Sequence, residues 1–255
     1  MKNVAVIIPI YKPRLSQQEA ASLTNTLTVL KEHDIFLIYP ETMDVTVYKN
    51  EYAVQYVAVT EEWLGVKNGI AGYNQMMLSE SFYAMFSNYE YILICHTDAW
   101  VFRDELLHWC EKGYDCVAAP WVKRKVYDNF IVSRFYRILD MVKGNNKITR
   151  RNLYGKIGNG GLSLRKVSSF RAACVKYSKE IDAFNANRHH LFNEDVFWAM
   201  VPVEFMYPKQ EEAIQFSFDR HPDYCYKMNH HKLPFGCHSW NKPKMFKFWK
   251  NIIKA

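Results

Sequence analysis

A wholly apolar run that is followed at once by polar residues is the feature that most constrains this fold. Residues 91–95 read Tyr-Ile-Leu-Ile-Cys and lead directly into His96, Thr97 and Asp98. A short continuous apolar run is typical of a strand buried on both faces of a parallel sheet. Ligands of open α/β sheets bind beyond the carboxyl ends of such strands. The run therefore predicts a central strand that delivers Asp98 to a ligand-binding crevice; the alternative is that His96 and Asp98 only end the strand and cap the next helix.

Strands and helices alternate along most of the chain. Apolar or alternating runs predict further strands over 4–10, 34–39, 52–59 and 115–120. Ser16 and Glu19 form a capping-box pattern ahead of a first helix, and apolar spacing predicts one long helix over 69–86. A short helix over 104–110 is closed by Gly113, and Ser168 and Asn193 are expected to cap two later helices. This order predicts a mostly parallel sheet with helices on both faces.

Composition bounds the class of protein. The chain has 255 residues, of which 49% are hydrophobic, so it has ample material for a core. Its apolar stretches are too short and too often broken by charge to span a bilayer, and the start carries no cleavable signal pattern. Six cysteines lack the paired spacing of a zinc site and are expected to be reduced and structural. We therefore expect a cytoplasmic protein.

The net charge of +7 is concentrated in two places. Residues 122–151 carry nine Lys or Arg against two Asp, and residues 242–255 carry five Lys and no acid. Basic surface in two places suggests anionic partners, although a solvated lysine-rich surface explains each cluster equally well. In 242–255, Met245, Phe248, Trp249, Ile252 and Ile253 recur at helical spacing, which is typical of a helix on an anionic membrane surface. The alternative is a terminal helix that packs on its own domain.

Three further segments carry residue types suited to chemistry. Gly158-Asn-Gly-Gly161 permits positive φ and a close approach of a ligand to the backbone, or is simply a tight turn. Glu194 and Asp195 stand at an expected helix start, where the helix dipole favours acids and where one of them can serve as a general base. His238 lies among aromatic residues, either as an ordinary hydrogen-bonded histidine or as the ligand that completes a metal site begun by Asp98.

Taken in order, these segments resemble a known class of enzyme. The set comprises Val4-Ala-Val-Ile-Ile-Pro9, Ile92-Leu-Ile-Cys-His-Thr-Asp98, Gly158-Asn-Gly-Gly-Leu-Ser-Leu-Arg165, Asn193-Glu-Asp195 and Phe235-Gly-Cys-His-Ser-Trp240. It is similar to the GT-A-type nucleotide-sugar glycosyltransferases, and specifically to a largely uncharacterised bacterial branch of that class. The resemblance implies an α/β, Rossmann-like fold with a smaller C-terminal acceptor-side part.

The resemblance also implies how the chain is divided. A single catalytic domain would span 1–241, with a nucleotide-sugar-binding half over 1–121 and an acceptor-side half over 152–241. The basic segment 122–151 would be an insertion or flap between the halves. Residues 242–255 would form a basic amphipathic tail that brings the protein to the inner face of the cell membrane.

Roles of individual residues follow from the same resemblance. Asp98 corresponds to the second acid of the Asp-x-Asp motif, which holds Mn²⁺ or Mg²⁺ on the donor diphosphate, and His238 would be a further metal ligand. His96 replaces the first acid, and it would touch the donor instead. Asp195 would be the catalytic base, with Glu194 on donor or acceptor hydroxyls. The remaining positions fall into two groups: Tyr11, Glu41 and Asn74 would border the donor nucleotide, and Gly160, Gly161 and Trp240 would line the acceptor side.

The function implied is transfer of a sugar from a nucleoside-diphosphate sugar, with a UDP-sugar favoured, to a hydroxyl of a glycan or lipid-linked acceptor. Synthesis of a bacterial surface polysaccharide, with inversion at the anomeric carbon, is the expected setting. The alternative is a non-catalytic protein of the same fold that binds nucleotide sugars or glycans, since an acid is missing at position 96. No recognised nucleic-acid-binding module is present, so no nucleic acid partner is expected.

Overall fold

The computed structural model describes residues 2–123 and 149–254, and it contains a six-stranded sheet and a smaller three-stranded sheet among helices. The strands are β1 Lys2–Pro9, β2 Asp34–Pro40, β3 Gln55–Val59, β4 Tyr89–Cys95, β5 Ala99–Val101, β6 Cys116–Ala118, β7 Leu162–Lys166, β8 Ser217–Phe218 and β9 Gly236–His238. The larger sheet has the order β3-β2-β1-β4-β7-β6, in which the first four strands are parallel and β7 is antiparallel to both β4 and β6. The smaller sheet has the order β5-β9-β8.

The helices surround both sheets. They are α1 Gln17–Val29, α2 Thr46–Glu51, α3 Ile70–Met77, α4 Glu80–Ala84, α5 Leu106–Glu111, α6 Val167–Lys176, α7 Ser178–Asn185, α8 Glu194–Met200, α9 Gln210–Phe216, α10 Pro222–Met228 and α11 Pro243–Trp249. Short 3₁₀ turns span Arg150–Leu153 and His190–Phe192. None of the helices within the described ranges is long and apolar enough to cross a membrane.

The central strands are continuously apolar because both of their faces are covered. On β1, Ala5 and Ile7 pack into one cluster with α3 and α6, whereas Val6 and Ile8 pack into another with α1. All four side chains are at most 1% exposed. Alternate residues of a strand point to opposite faces, so a sheet covered on both sides requires apolar residues at every position. The sequence prediction of a buried, mostly parallel sheet is confirmed.

Several local predictions are also confirmed. The Ser16 side chain accepts from the backbone of Glu19, and the Glu19 carboxylate accepts from the backbone of Ser16, which is a complete capping box. Gly113 follows α5 with a positive φ of 75°, a conformation that glycine adopts at little cost.

Other local predictions are wrong. The single helix expected over 69–86 is two helices, because Ser79 takes an extended conformation between α3 and α4. Residues 116–118 do form a strand, but it pairs antiparallel with β7 rather than continuing the parallel sheet. The helix expected to start after Ser168 begins at Val167, so Ser168 lies in its first turn and does not cap it.

The smaller sheet was not predicted, and it decides where the chain's last histidine lies. Residues Ala99–Val101 leave the carboxyl end of β4 and pair antiparallel with Gly236–His238. Gly236 allows this sheet to approach the larger one, because a Cβ atom there would lie 2.7 Å from Leu162 Cδ2 and 2.9 Å from the Trp100 carbonyl oxygen. The pairing brings residues 96–98 and residue 238 together, although they are far apart in the sequence. Most of the basic segment 122–151, namely residues 124–148, lies outside the described residues.

Candidate active site

A cleft of about 1030 Å³ opens where β1 and β4 end and β7 begins. Its walls come from Pro9 after β1, His96 to Asp98 after β4, and Gly160 and Gly161 before β7. The first residues of α8 and the segments after β8 and β9 complete it. This volume is at the upper end of that usual for small-molecule sites, and its position at the carboxyl ends of parallel strands is where α/β proteins bind ligands.

His96, Asp98 and His238 form a compact cluster in the cleft. Each offers a ligand atom, and these atoms all lie within 4.8 Å of one another. Asp98 Oδ1 is 3.1 Å from His238 Nε2, and Asp98 Oδ2 is 3.7 Å from Lys242 Nζ. Burial alone would raise the pKa of the Asp98 carboxyl, but the charge and hydrogen bond of His238 outweigh burial and hold this pKa well below its usual value. Asp98 is therefore ionised at neutral pH.

His238 lies between two carboxylates. Its Nδ1 is 3.1 Å from Asp219 Oδ1, on the side opposite Asp98. Burial lowers the pKa of the imidazole, but Asp98 and Asp219 outweigh burial and raise the pKa to about 9. The backbone then turns sharply at Ser239, whose φ of 58° is unusual for a residue other than glycine. Such conformations persist where the surrounding structure demands them, and here Ser239 turns the chain directly after His238 while still lining the cleft.

Hydrogen bonds hold both the side chain and the backbone of His96. Its Nε2 is 2.7 Å from the hydroxyl oxygen of Tyr73, and its backbone N–H donates to the carbonyl oxygen of Gly161. Burial is the main cause that lowers the pKa of His96 to about 3, and the charge of His238 adds to it, so the imidazole is neutral at physiological pH. When Nε2–H donates to the Tyr73 oxygen, Nδ1 keeps a free lone pair.

The cluster fits a divalent metal ion. Ligand atoms bound to one ion at about 2.1 Å can be at most about 4.2 Å apart, so a spread of up to 4.8 Å requires only small side-chain shifts. Imidazole nitrogens and a carboxylate oxygen are ordinary ligands for such ions. His96, Asp98 and His238 would hold the metal, and His96 joins the cluster as a candidate ligand although the sequence suggested only contact with the donor.

The glycines of 158–161 make room for protein side chains. None of Gly158, Gly160 and Gly161 has positive φ, so the backbone conformation expected from the sequence is not what requires them. A Cβ atom on Gly160 would lie 2.1 Å from Glu194 Oε1, and one on Gly161 would lie 2.1 Å from His238 Nε2. Glycine is therefore needed at positions 160 and 161, because Glu194 and His238 pack directly against the backbone there.

Glu194 is engaged by a buried arginine. Arg165 Nη2 donates to both carboxylate oxygens of Glu194, at 3.2 Å and 3.0 Å, and Nη1 donates to the Tyr83 hydroxyl. Both side chains of the ion pair are at most 3% exposed. Burial opposes the charge of Arg165, but Glu194 outweighs it and holds the pKa of the guanidinium well above its usual value. Burial raises the pKa of the Glu194 carboxyl, and the charge and hydrogen bonds of Arg165 oppose this. Glu194 is thus held in the cleft wall by its two hydrogen bonds to Arg165.

Within residues 2–123 and 149–254, no arginine or lysine side chain pairs with Asp195 as Arg165 pairs with Glu194. Asp195 Oδ1 accepts the backbone N–H of Val196, as is common in the first turn of a helix. Burial, followed by the negative charge of Glu194, raises the pKa of Asp195 to about 7. A carboxyl group that faces a cleft and titrates near neutral pH has the property expected of a general base.

Asn74 positions the start of α8. Its Oδ1 accepts the backbone N–H of Glu194 at 3.2 Å, and its Nδ2 donates to Asn193 Oδ1. Asn193 occupies the N-cap position as expected, but its own side chain makes no capping hydrogen bond. The start of α8 is therefore capped by Asn74 of α3 instead of by Asn193.

The structure brings most of the sequence-predicted site residues together and leaves two outside. The cleft is lined by Tyr11, Asn74, His96, Asp98, Gly160, Gly161, Glu194, Asp195 and His238. Glu41 is exposed after β2 and does not line the cleft. Trp240 is also absent from the lining: it is 1% exposed, and its Nε1 donates to Ser22 Oγ in the core.

Sequence reasoning missed several residues of the cleft. Lys12, Asp219 and Arg220 line it, as do Lys242 and Lys244 from the C-terminal segment. For Asp219 a signal was available, since polar residues follow an apolar stretch there as they do at Asp98. The basic composition of 242–255 suggested an anionic partner, but only the fold shows that lysines from both ends of the chain line one cleft.

The C-terminal segment packs on its own protein. Trp249 and Ile253 are fully or almost fully buried in a cluster with residues of β8, β9 and α10. The apolar residues of 242–255 contribute to this core, which agrees with the alternative that the terminal helix packs on its own domain. Docking of α11 is what places Lys242 and Lys244 at the cleft.

The fold and the cleft define a class, the GT-A-type nucleotide-sugar glycosyltransferase fold, as the sequence resemblance suggested. Mouse xyloside xylosyltransferase 1 in its apo form is similar with a TM-score of 0.55 and 11% identity, over 95% of this chain and 99% of that one. The galactosyltransferase LgtC, solved with donor and acceptor sugar analogues, is similar with a TM-score of 0.55 and 10% identity, over 98% and 97% of the two chains. The bifunctional glycosyltransferase WbbM in its apo form has a TM-score of 0.51 and 11% identity, over 93% of this chain and 45% of that one. At these identities the likeness concerns the fold.

Within that class, the chain belongs to the family described as "Protein of unknown function (DUF5672)", whose model matches residues 53–238. Among curated proteins, none matches the sequence.

Proposed function

We propose that the protein is a glycosyltransferase that moves a sugar from a nucleoside-diphosphate sugar to a hydroxyl group of a glycan or lipid-linked acceptor. The observation that carries the proposal is that a carboxyl group with a pKa of about 7, Asp195, shares one cleft with the His96, Asp98 and His238 cluster. Asp195 supplies a base for the acceptor, and the cluster supplies a site for the diphosphate of the donor.

Four cationic side chains line the cleft. They belong to Lys12, Arg220, Lys242 and Lys244, and all four are suited to a diphosphate by charge. A divalent ion bound by His96, Asp98 and His238, Mn²⁺ or Mg²⁺ by family resemblance, would neutralise charge that develops on the diphosphate leaving group. Tyr11 also lines the cleft and is half exposed, so its aromatic ring can contact a nucleobase.

Asp195 is the proposed base. As the acceptor hydroxyl oxygen bonds to the anomeric carbon, the bond from that carbon to the diphosphate oxygen breaks, and the hydroxyl proton passes to the Asp195 carboxylate. Glu194 is not a candidate for proton transfer, because Arg165 engages both of its oxygens. We assign Glu194 the positioning of α8 and the negative charge that raises the pKa of Asp195.

Direct attack assisted by one base inverts the anomeric configuration, so we propose an inverting reaction. By family resemblance we further propose a UDP-sugar as donor and a bacterial surface polysaccharide or similar glycan as product, made in the cytoplasm. Analysis of the product's anomeric proton couplings by NMR tests the stereochemistry. A retained configuration would overturn inversion and the role of Asp195 in direct attack, while leaving sugar transfer itself in place.

The transferase proposal is tested by donor binding and turnover. A thermal-shift panel of nucleoside diphosphates and nucleotide sugars, with and without Mn²⁺, should reveal one selective ligand that stabilises the native state by mass action. With that donor, Asp195→Asn should retain binding and lose at least about 100-fold in turnover, since general bases contribute on the order of 10²–10⁴. Asp182→Asn, an exposed position on α7, is the matched control and should retain full turnover.

Two outcomes would count against the transferase. If no nucleotide or nucleotide sugar stabilises the protein, the cleft does not serve a donor of this class. If a donor binds but neither the wild type nor Asp182→Asn turns over with any acceptor tried, the protein is a binder of nucleotide sugars, which is the alternative expected from the loss of an acid at position 96.

A further inference from the structure

The candidate metal cluster contains two imidazoles and one carboxylate, which is an unusual balance for a site that holds an ion on a diphosphate. Among the residues that the structure describes, His96, Asp98 and His238 are the cluster with ligand atoms close enough to share an ion. Carboxylate-rich oxygen sites suit Mg²⁺, whereas imidazole suits transition ions such as Fe²⁺, Co²⁺ and Zn²⁺. The composition of the cluster therefore bears on which ion it prefers.

In each histidine, one ring nitrogen has a hydrogen-bonding partner. The other ring nitrogen is the one that would bind a metal. His238 Nδ1 is 3.1 Å from Asp219 Oδ1, which leaves Nε2 directed towards Asp98. His96 Nε2 is 2.7 Å from the Tyr73 hydroxyl, which leaves Nδ1 as its free nitrogen. Metal-binding histidines in proteins almost always donate their other N–H to a carboxylate, carbonyl or water, which fixes the ring and its tautomer. Asp219 and Tyr73 thus have the geometry of positioning residues for two nitrogen ligands.

The negative charge of Asp98, the single carboxylate of the cluster, is already partly balanced by a lysine. Asp98 Oδ2 lies 3.7 Å from Lys242 Nζ, so this cation balances part of its negative charge. A hard ion such as Mg²⁺ depends mainly on carboxylate charge, and it gives up its water molecules reluctantly. Nitrogen ligands, by contrast, bind a transition ion through a strong bond that does not depend on formal charge.

We propose that this cluster is a two-histidine, one-aspartate site that selects a nitrogen-preferring transition ion, with Co²⁺ and Zn²⁺ bound more tightly than Mn²⁺ and all three more tightly than Mg²⁺. The inference rests on the cleft of the proposed transferase, but metal selectivity is measured without any sugar transfer. It goes beyond that function because it assigns His96 as a ligand and sets the order of ions. The replacement of an acid by histidine at position 96 is then a change of metal preference rather than the loss of the site.

The test is isothermal titration calorimetry of the full-length, metal-stripped protein with CoCl₂, ZnCl₂, MnCl₂ and MgCl₂ at one pH. The wild type should bind Co²⁺ at least about 100-fold more tightly than Mg²⁺, following the affinity order of nitrogen sites. His96→Asp restores two acids and should reduce this ratio at least tenfold. The matched control His108→Asp, which makes the same change at an exposed position on α5, should leave the ratio unchanged.

A second variant addresses the positioning partner. Asp219→Asn should weaken Co²⁺ binding about 10- to 100-fold, as loss of such partners typically does, and should alter the visible absorption of bound Co²⁺. Equal affinity of the wild type for Co²⁺ and Mg²⁺ would overturn the proposal, and so would a ratio that His96→Asp leaves unchanged. If a nucleotide sugar is still turned over in either of those cases, only the metal assignment fails and the proposed transferase stands.

Discussion

The imidazole of His238 rests directly on the backbone of Gly161, where a Cβ atom would lie 2.1 Å from Nε2. The backbone there has little freedom to yield, because the N–H of Gly161 donates to Asn159 Oδ1 and its carbonyl accepts from His96. This one contact joins the start of β7, the end of β4 and the last strand of the smaller sheet. It leads to a first prediction.

Gly161→Ala should displace His238 and cost about 1–3 kcal/mol of stability, as overpacking usually does. Binding of Co²⁺ or Mn²⁺, measured by calorimetry, should be strongly weakened. Gly160→Ala is the comparison, since its Cβ would lie equally close to an atom but that atom is Glu194 Oε1. It should lose stability and keep metal binding, and equal metal affinity in both variants would contradict the role given to the Gly161 contact.

The pKa of about 7 at Asp195 predicts opposite pH effects on activity and on stability. Because the ionised carboxylate is the base, kcat/KM should rise with pH up to about 7 and then level off. The protonated form is favoured in the folded state, since the folded pKa lies above the ordinary aspartate value of 3.8. Its stabilising contribution is therefore complete below about pH 4 and is lost as pH rises through 7.

Asp195→Asn removes that titration. The variant should gain stability relative to wild type from pH 5 to pH 8, because each pKa unit corresponds to about 1.4 kcal/mol. Urea denaturation at several pH values measures the difference. A wild type and variant whose stabilities stay parallel across this range would show that Asp195 does not have a raised pKa.

The buried pair of Arg165 and Glu194 should be sensitive to the loss of one partner. Arg165→Met leaves the Glu194 carboxylate buried without a counter-ion, and we expect a loss of about 3–5 kcal/mol. The double change of Arg165→Met with Glu194→Gln should recover part of that loss, since it removes both charges. Lys176→Met breaks an exposed pair with Glu204, which water screens, so this variant should stay close to wild type in stability. Chemical denaturation gives all three values, and additive effects in the double variant would argue against a coupled pair.

Trp249 tests whether the C-terminal helix is part of the core. The centroid of its ring lies 5.5 Å from the ring centroid of Phe102 and 4.8 Å from that of Phe248, and the side chain is fully buried. Trp249→Ala should therefore destabilise the protein by about 3–5 kcal/mol. Lys250→Ala changes the exposed neighbour and should stay within about 0.5 kcal/mol of wild type. Equal stability of the two variants in urea would mean that the helix does not pack as described.

Elements that depend on local patterns could be predicted from the amino-acid sequence. Continuous apolar runs specify strands covered on both faces, as at β1 and β4, because alternate side chains meet different helices. The Ser16 capping box and Gly113 also follow from short-range rules. Asp98 was placed in the cleft for the same reason, since it follows a buried strand directly.

Contacts between residues far apart in the chain could not be predicted without the fold. His238 and Asp98 are brought together by an antiparallel pairing of β5 with β9, and short strands of three residues leave almost no periodic signal. The sequence shows Arg165 only as a residue of a strand. The fold places its guanidinium within hydrogen-bonding distance of the Glu194 carboxylate. The family resemblance implied an acceptor-side role for Trp240, but its side chain points into the core, whereas Lys242 reaches the cleft. Local patterns fix a side chain's element, but the direction it faces and the charge it meets depend on packing between elements far apart in the chain.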